Sequence, residues 1–110
     1  MAKPTALDEL FVHQIPQLLP QVVTHHPHWR ESYFYDIHDP SGEGYRLLGD
    51  AVIALDPLNA STAARLVSPL GLWRRQAPPL AAMMRRELER VLATPNLSKG
   101  TFEKASKGLA

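Results

Sequence analysis

The histidines are the side chains best suited to metal chemistry, and all five lie in the first 38 residues. His25, His26 and His28 stand close together, and in an extended segment His26 and His28 would point to the same side. Neutral imidazoles bind zinc, nickel or copper, so these three residues are candidate metal ligands. No cysteine or glutamate spacing supports such a site, and a polar surface turn beside an aromatic pair explains the cluster better. We therefore predict no resident metal and keep the three histidines as the alternative.

Nucleophilic and acid–base chemistry has little support in this sequence. The chain has no cysteine, which excludes thiolate nucleophiles, disulfides and cysteine-ligated metal sites. Asp36 and His38 have the acidic and imidazole side chains that two members of a catalytic triad need. Ser32 or Ser41 would complete it, but no Gly-x-Ser-x-Gly turn presents a serine as the nucleophile. The sequence therefore predicts no catalytic residue.

Two arginine pairs, Arg74 with Arg75 and Arg85 with Arg86, add to the positive charge of the second half of the chain. Residues 44–110 contain ten basic and five acidic residues, a formal charge of +5, whereas residues 1–43 contain two and six, a charge of −4. Glutamates interleave with the basic residues, and no helix-turn-helix or stacking motif accompanies them, so nucleic-acid binding is not expected. A solvated helix face, or a surface that docks on an acidic domain, fits this pattern better.

Hydrophobic periodicity predicts about four short helices in residues 44–110, since apolar residues recur there at spacings of three and four. Pro57 ends the first helix, Asn59 caps the second, Pro78 opens the third and Ser98 caps the fourth. The apolar faces are the predicted packing and interaction residues: Tyr45, Leu48, Val52, Leu55, Leu66, Trp73, Leu80, Met84, Leu88, Val91 and Phe102.

Residues 1–43 carry weaker signals. Prolines interrupt any long helix, and residues 22–24 and 33–37 are rich in β-formers. We predict an extended, loop-rich and partly β N-terminal segment that ends in a turn or linker at residues 39–44. The expected fold class is mainly α, with the four helices in a helical-hairpin or solenoid-like array over residues 44–110.

Six segments of the second half follow one another in a specific order and spacing. They are IALDPLN (53–59), AARL (63–66), PLGLWRR (69–75), MRRELER (84–90), PNLS (95–98) and FEKASKGLA (102–110). Together they resemble the C-terminal end of bacterial aminopeptidase N, the alanyl aminopeptidase family of gluzincin metallopeptidases. Residues 23–40 are similar to the opening of hydroxyneurosporene-synthase-like, β-rich domains, which predicts a fusion of two fragments at residues 39–44.

The resemblance to aminopeptidase N implies a helical region that stacks helix pairs into a curved solenoid, covers the catalytic cleft and limits peptide access. In that family the zinc belongs to an upstream His-Glu-x-x-His helix, and a Gly-x-Met-Glu-Asn segment binds the substrate amine. Neither motif occurs in these 110 residues, so we expect no cofactor and no enzymatic activity. The expected partners are other helices of a peptidase domain or a second copy of the chain. The alternative is a self-standing small protein whose histidine-rich segment binds a metal ion or a protein partner.

A membrane location is not expected. No apolar run approaches the roughly 18–20 residues that span a bilayer. Asp8 and Glu9 follow the N-terminus closely, so the sequence predicts no signal peptide and favours the cytoplasm.

Overall fold

The computed structural model describes residues 15–34 and 37–110, and helices dominate both stretches. They are α1 (Ile15–Leu18), α2 (Pro20–His25), α3 (Trp29–Phe34), α4 (Glu43–Leu55), α5 (Ala60–Val67), a 3₁₀ helix (Ser68–Arg75), α6 (Pro78–Leu92) and α7 (Lys99–Leu109). The described residues contain no strand, and the prediction of a mainly α fold is confirmed. None of the described helices is both long and apolar enough to cross a membrane.

The four helices predicted in the second half are present, and the predicted residues Asn59, Pro78 and Ser98 explain where three of them begin. The Asn59 side chain accepts a hydrogen bond from the Thr62 N–H at 3.2 Å, at the start of α5. The Ser98 hydroxyl accepts from the Thr101 N–H at 3.3 Å, at the start of α7. Helix α6 begins at Pro78, where the missing N–H costs no intrahelical hydrogen bond. Local signals were therefore sufficient to define these helices.

The strands predicted in the first half are wrong where the structure describes them. Residues 22–24 lie inside α2, and Tyr33 and Phe34 are the last two residues of α3. Residues 35 and 36 lie outside the described part of the chain. Val22 is buried three residues after the buried Leu19, which is helical spacing, and Trp29 is buried in the same core. Packing of these side chains decides the conformation here, because β propensity depends strongly on context.

Helix α4 is the centre of the packing. It contacts α2, α3, α5 and α6, and its apolar residues are buried on more than one face. The core consists of Leu19, Val22, Trp29, Tyr45, Leu47, Leu48, Ala51, Val52, Leu55, Ala63, Leu66, Val67, Leu70, Met84, Leu88, Val91 and Ala105. Side chains from both halves of the chain therefore share one core.

Three of the predicted packing residues are not fully buried. Trp73 and Leu80 are half-buried and pack against the edge of the core. Phe102 does not fit the expectation, since it is 51% exposed. Helix α7 instead turns Thr101 and Ala105 inward, so Thr101 takes the buried position that is predicted for Phe102. The other eight predicted packing residues are buried.

The turn before α4 has the form that its glycine permits. Gly42 has a φ of +80°, a conformation that side chains with a Cβ rarely adopt, and its N–H donates to the Asp39 carbonyl oxygen at 2.9 Å. The Ser41 N–H donates to the Asp39 carboxylate at 2.7 Å. Residues 39–42 thus form a turn where one is predicted, whereas Glu43 and Gly44, the last two residues of the predicted turn, already belong to the central helix.

Candidate functional site

A buried histidine ties the first helices to α4. His26 follows α2 and is 5% exposed. Its Nδ1 lies 2.6 Å from a carboxylate oxygen of Glu43, and its Nε2 lies 2.7 Å from one of Asp50. Ionised carboxylates only accept hydrogen bonds, so both contacts are hydrogen bonds when both ring nitrogens carry protons. The imidazolium form of His26 therefore holds two carboxylates that lie two turns apart on one face of α4.

Two arginines extend this arrangement into the His26 cluster, which consists of His26, Glu43, Arg46, Asp50, Glu87 and Arg90. Arg46 donates to Glu43 at 2.9 Å. Arg90 donates to Asp50 at 2.7 Å through Nη1 and to Glu87 at 2.9 Å through Nε. The cluster joins the α2–α3 connection, α4 and α6 by charge-assisted hydrogen bonds.

Glu87 occupies an unexpected position. The pairing of Glu87 with Arg90 follows from their spacing, but the sequence pattern places Glu87 on the exposed face of α6, whereas its residue exposure is only 6%. A Cβ on Gly49 of α4 would overlap the Glu87 carboxylate, so the absence of a side chain at Gly49 makes the room that Glu87 fills. The carboxylate is accommodated because Arg90 neutralises it there.

Hydrogen bonding lowers the pKa of both carboxylates that face His26. Burial tends to raise the pKa of Asp50, but hydrogen bonds from His26 and Arg90, with the charges of both, bring the pKa below its ordinary value of 3.8. For Glu43, the hydrogen bond from Arg46 is the main cause of a pKa below the ordinary 4.5. Both side chains are partly exposed, so solvent screens part of these interactions.

We expect Asp50→Asn to reduce the loss of stability in acid. A carboxylate whose pKa is lowered by folding stabilises the native state above its unfolded pKa, and this stabilisation is lost as the pH falls through the folded pKa. Urea unfolding measured between about pH 5 and pH 2 should therefore show a shallower decline for Asp50→Asn than for the unchanged chain. Glu103→Gln, which alters an exposed residue of α7, is the control and should leave the slope unchanged. Equal slopes for Asp50→Asn and the unchanged chain would contradict the role given to Asp50.

The candidate metal ligands do not converge in the structure. His26 is buried in its cluster, whereas the side chains of His25 and His28 are exposed. Within residues 15–34 and 37–110, no group of three or more histidine, aspartate or glutamate side chains is placed to hold a metal ion. The structure thus uses one of the three histidines for packing between helices.

Of the candidate triad residues, His38 and Ser41 are engaged in other contacts, Ser32 is buried in α3 and Asp36 lies outside the described residues. His38 Nδ1 lies 2.6 Å from the Tyr45 hydroxyl, and the Ser41 hydroxyl accepts from the Glu43 N–H at 3.2 Å. The arrangement of His38 and Ser41 is that of a turn stabilised by local hydrogen bonds.

A second buried carboxylate, which the sequence analysis did not identify, fixes the end of α4 to the start of α7. Asp56 is 6% exposed. One carboxylate oxygen accepts from the hydroxyls of Ser98 and Thr101, both at 2.6 Å, and the other accepts from the Ser98 N–H at 2.8 Å. Burial tends to raise the pKa of Asp56, but these three hydrogen bonds outweigh it and bring the pKa below 3.8. Because the partners are more than 40 residues apart, no local motif marks this contact.

A third feature brings together one arginine from each of the two pairs. The Trp73 indole N–H donates to the Gly108 carbonyl oxygen at 2.8 Å. The guanidinium carbons of Arg74 and Arg85 lie over the indole, 4.2 and 4.8 Å from its centroid. We call this region the Trp73 surface and define it as Trp73, Arg74, Pro78, Ala81, Ala82 and Arg85, which line an open groove of about 380 Å³.

Comparisons with known proteins support the resemblance found in the sequence. Residues 32–110 match a family described as a domain of unknown function (DUF3458_C) with ARM repeats. Aminopeptidase N of Caulobacter vibrioides is 57% identical over 72 residues, and that of Haemophilus influenzae is 44% identical over 72 residues. Aminopeptidase N of Escherichia coli is 34% identical over 73 residues. Each alignment covers 66% of this chain but only 8% of the relative. The predicted resemblance to the C-terminal end of aminopeptidase N is confirmed, and the family match begins upstream of Gly44.

Proposed function

We propose that this chain, which belongs to the DUF3458_C family of ARM-repeat domains, has a noncatalytic structural role in an aminopeptidase-N-like protein. In that role it is a packing element of the helical region, next to the route by which peptides reach the catalytic cleft. The observation that carries the proposal is the similarity to aminopeptidase N. The zinc-binding and amine-binding motifs of that family do not occur in these 110 residues.

The geometry supports a role that depends on a fixed shape. The apolar faces of α4, α5 and α6 are buried in one core, so the orientations of these helices and of their outer surfaces are fixed. The His26 cluster fixes the early helices against α4 and α6, and Asp56 fixes α4 against α7. A rigid element of this kind can pack against neighbouring helices and narrow a channel without contributing a reactive group.

An aminoacyl-anilide assay tests the noncatalytic part of the proposal. The 110-residue chain, with and without added zinc, is expected to release no aniline product above the buffer rate, because it has neither the metal-binding helix nor the amine-binding segment. The Caulobacter vibrioides relative, assayed beside it, serves as the positive control. Turnover by the chain that scales with its concentration and survives repurification would overturn the proposal.

The structural part is tested by exchanging segments in the same relative. Replacing the matching 72-residue segment with that of this chain is expected to keep the relative's thermal stability and its relative rates on peptides of different lengths. Deleting the segment is expected to lower the melting temperature or to raise the rate on long peptides relative to short ones. If the deletion changes neither property, the segment is not a packing element and the proposal fails.

A further inference from the structure

We propose that the Trp73 surface is a docking site for an acidic peptide segment of a partner protein. This proposal deepens the structural role proposed above. It rests on that role in one respect, namely that the chain contacts another protein surface. It depends on the way the fold places the two arginines around one indole, a juxtaposition that the sequence pattern does not predict because Arg74 and Arg85 lie on different helices.

Within residues 15–34 and 37–110, the two arginines of this surface have no carboxylate side chain as a partner. Among the described residues, neither Arg74 nor Arg85 forms an ion pair with an aspartate or glutamate, whereas Arg46 and Arg90 do. Arg74 donates through Nη2 to the main-chain oxygens of Leu109 and Ala110, and the guanidinium carbons of both arginines lie over the indole. In the part of the chain that the structure describes, the Arg85 guanidinium forms no hydrogen bond, so N–H groups of both arginines are available to a carboxylate.

The tryptophan also reduces the cost of binding an anion. A free arginine side chain loses rotamer freedom when it is held by a ligand, and a guanidinium already stacked on a ring loses less. Trp73 is itself held by the hydrogen bond from its indole N–H to Gly108. The arginines are therefore presented on a fixed platform, which favours the bidentate geometry that carboxylates accept.

The groove favours a peptide over a nucleic acid. Pro78, Ala81 and Ala82 contribute small apolar side chains on the first turns of α6, which leaves space for an apolar side chain of a peptide between the two arginines. Single-stranded nucleic acids need an open aromatic face on which bases stack, and here two guanidinium groups already lie over the ring. Positive charge with an apolar floor matches a segment that alternates carboxylates with an apolar residue.

The test is an amide and indole NMR titration of the 110-residue chain with the capped peptide Glu-Glu-Leu-Glu-Glu. We expect saturable shifts of the Trp73 indole N–H and of amides in the first turns of α6, while the buried Trp29 stays constant, and we expect affinity to fall with added salt. The capped peptide Gln-Gln-Leu-Gln-Gln is expected to bind at least about tenfold more weakly. Equal binding of the two peptides, tighter binding of an oligothymidylate, or no saturable shift would each overturn the proposal.

Two neighbouring arginines of α6 provide a matched pair of variants. Arg85→Gln is expected to weaken binding of the acidic peptide about tenfold, because it removes a stacked guanidinium from the groove. Arg86→Gln removes the same charge from the next exposed residue, which does not line the groove, and is expected to change affinity by less than about twofold. Equal losses in the two variants would mean that only net charge matters and would overturn the proposal.

Peptide binding and anilide turnover are separate readouts, so failure of the docking site is distinguishable from failure of the noncatalytic role.

Discussion

Gly44→Ala is expected to lower the free energy of unfolding by about 3 kcal/mol, although alanine is the better helix former. Gly44 is the second residue of α4, and a Cβ there would lie 2.7 Å from the Cα of Ile37 and would also overlap its carbonyl oxygen. The obstacle is main chain, which cannot rotate away as a side chain does, so α4 or the preceding turn must shift. The gain in helix propensity, roughly 0.5–1 kcal/mol, is too small to compensate.

Gly100→Ala is the matched control, since Gly100 is the second residue of α7 and a Cβ there would meet nothing within 4 Å. This variant is expected to be unchanged or stabilised by up to about 1 kcal/mol. Urea unfolding followed by circular dichroism gives both free energies under the same conditions. If Gly44→Ala proves as stable as Gly100→Ala, the close approach of Ile37 to α4 is incorrect.

The helices of the second half could be predicted because their signals are local. Asn59, Pro78 and Ser98 act through the first turn of their own helices, and the apolar spacing predicts a buried face of α4 and of α6, to which the structure adds further buried residues of α4. Phe102 shows the limit of local patterns, because Thr101 and Phe102 are four and three residues before the buried Ala105 and both spacings are helical, so only packing decides which one is buried. The strands predicted around Val22 failed for the same reason, since burial against α4 outweighed β propensity.

The polar contacts of the candidate sites could not be predicted, because their partners are distant along the chain. His26 is 24 residues from Asp50, and Asp50 is 40 residues from Arg90. In the sequence, His26 is one of three neighbouring histidines. The turn between α2 and α3 buries His26 and leaves His25 and His28 exposed. Likewise, the sequence shows Arg74 and Arg85 only as members of two basic pairs, and it is the fold that brings both guanidinium groups over the Trp73 ring. Local patterns predicted the secondary structure, whereas tertiary packing created the candidate sites.

Asp56→Ala is expected to be at least as damaging as Gly44→Ala, with a loss of about 3–5 kcal/mol. The substitution removes the acceptor of three hydrogen bonds, two from the half-buried Ser98 and one from Thr101, which is 0% exposed and so has no access to water. Unsatisfied buried donors cost more than the hydrogen bond itself contributed, because water cannot replace the lost partner. The contact joins helices at opposite ends of the second half, so the ends of α4 and α7 should also lose protection from amide exchange.

Thr101→Val distinguishes the loss of one hydrogen bond from the loss of the whole arrangement. It removes a single donor to Asp56 while keeping the shape of the side chain, and a loss of only about 1 kcal/mol is expected. In the double variant Asp56→Ala with Thr101→Val, one unsatisfied donor is absent, so the combined loss should be smaller than the sum of the single losses. Strict additivity would show that Asp56 and Thr101 do not interact.

Asp39→Ala, at the exposed turn before α4, should cost far less than Asp56→Ala, since water can replace the carboxylate as acceptor for the Ser41 N–H. Both aspartates accept hydrogen bonds, so a much larger loss of stability in Asp56→Ala than in Asp39→Ala would show that burial at the α4–α7 contact is the cause.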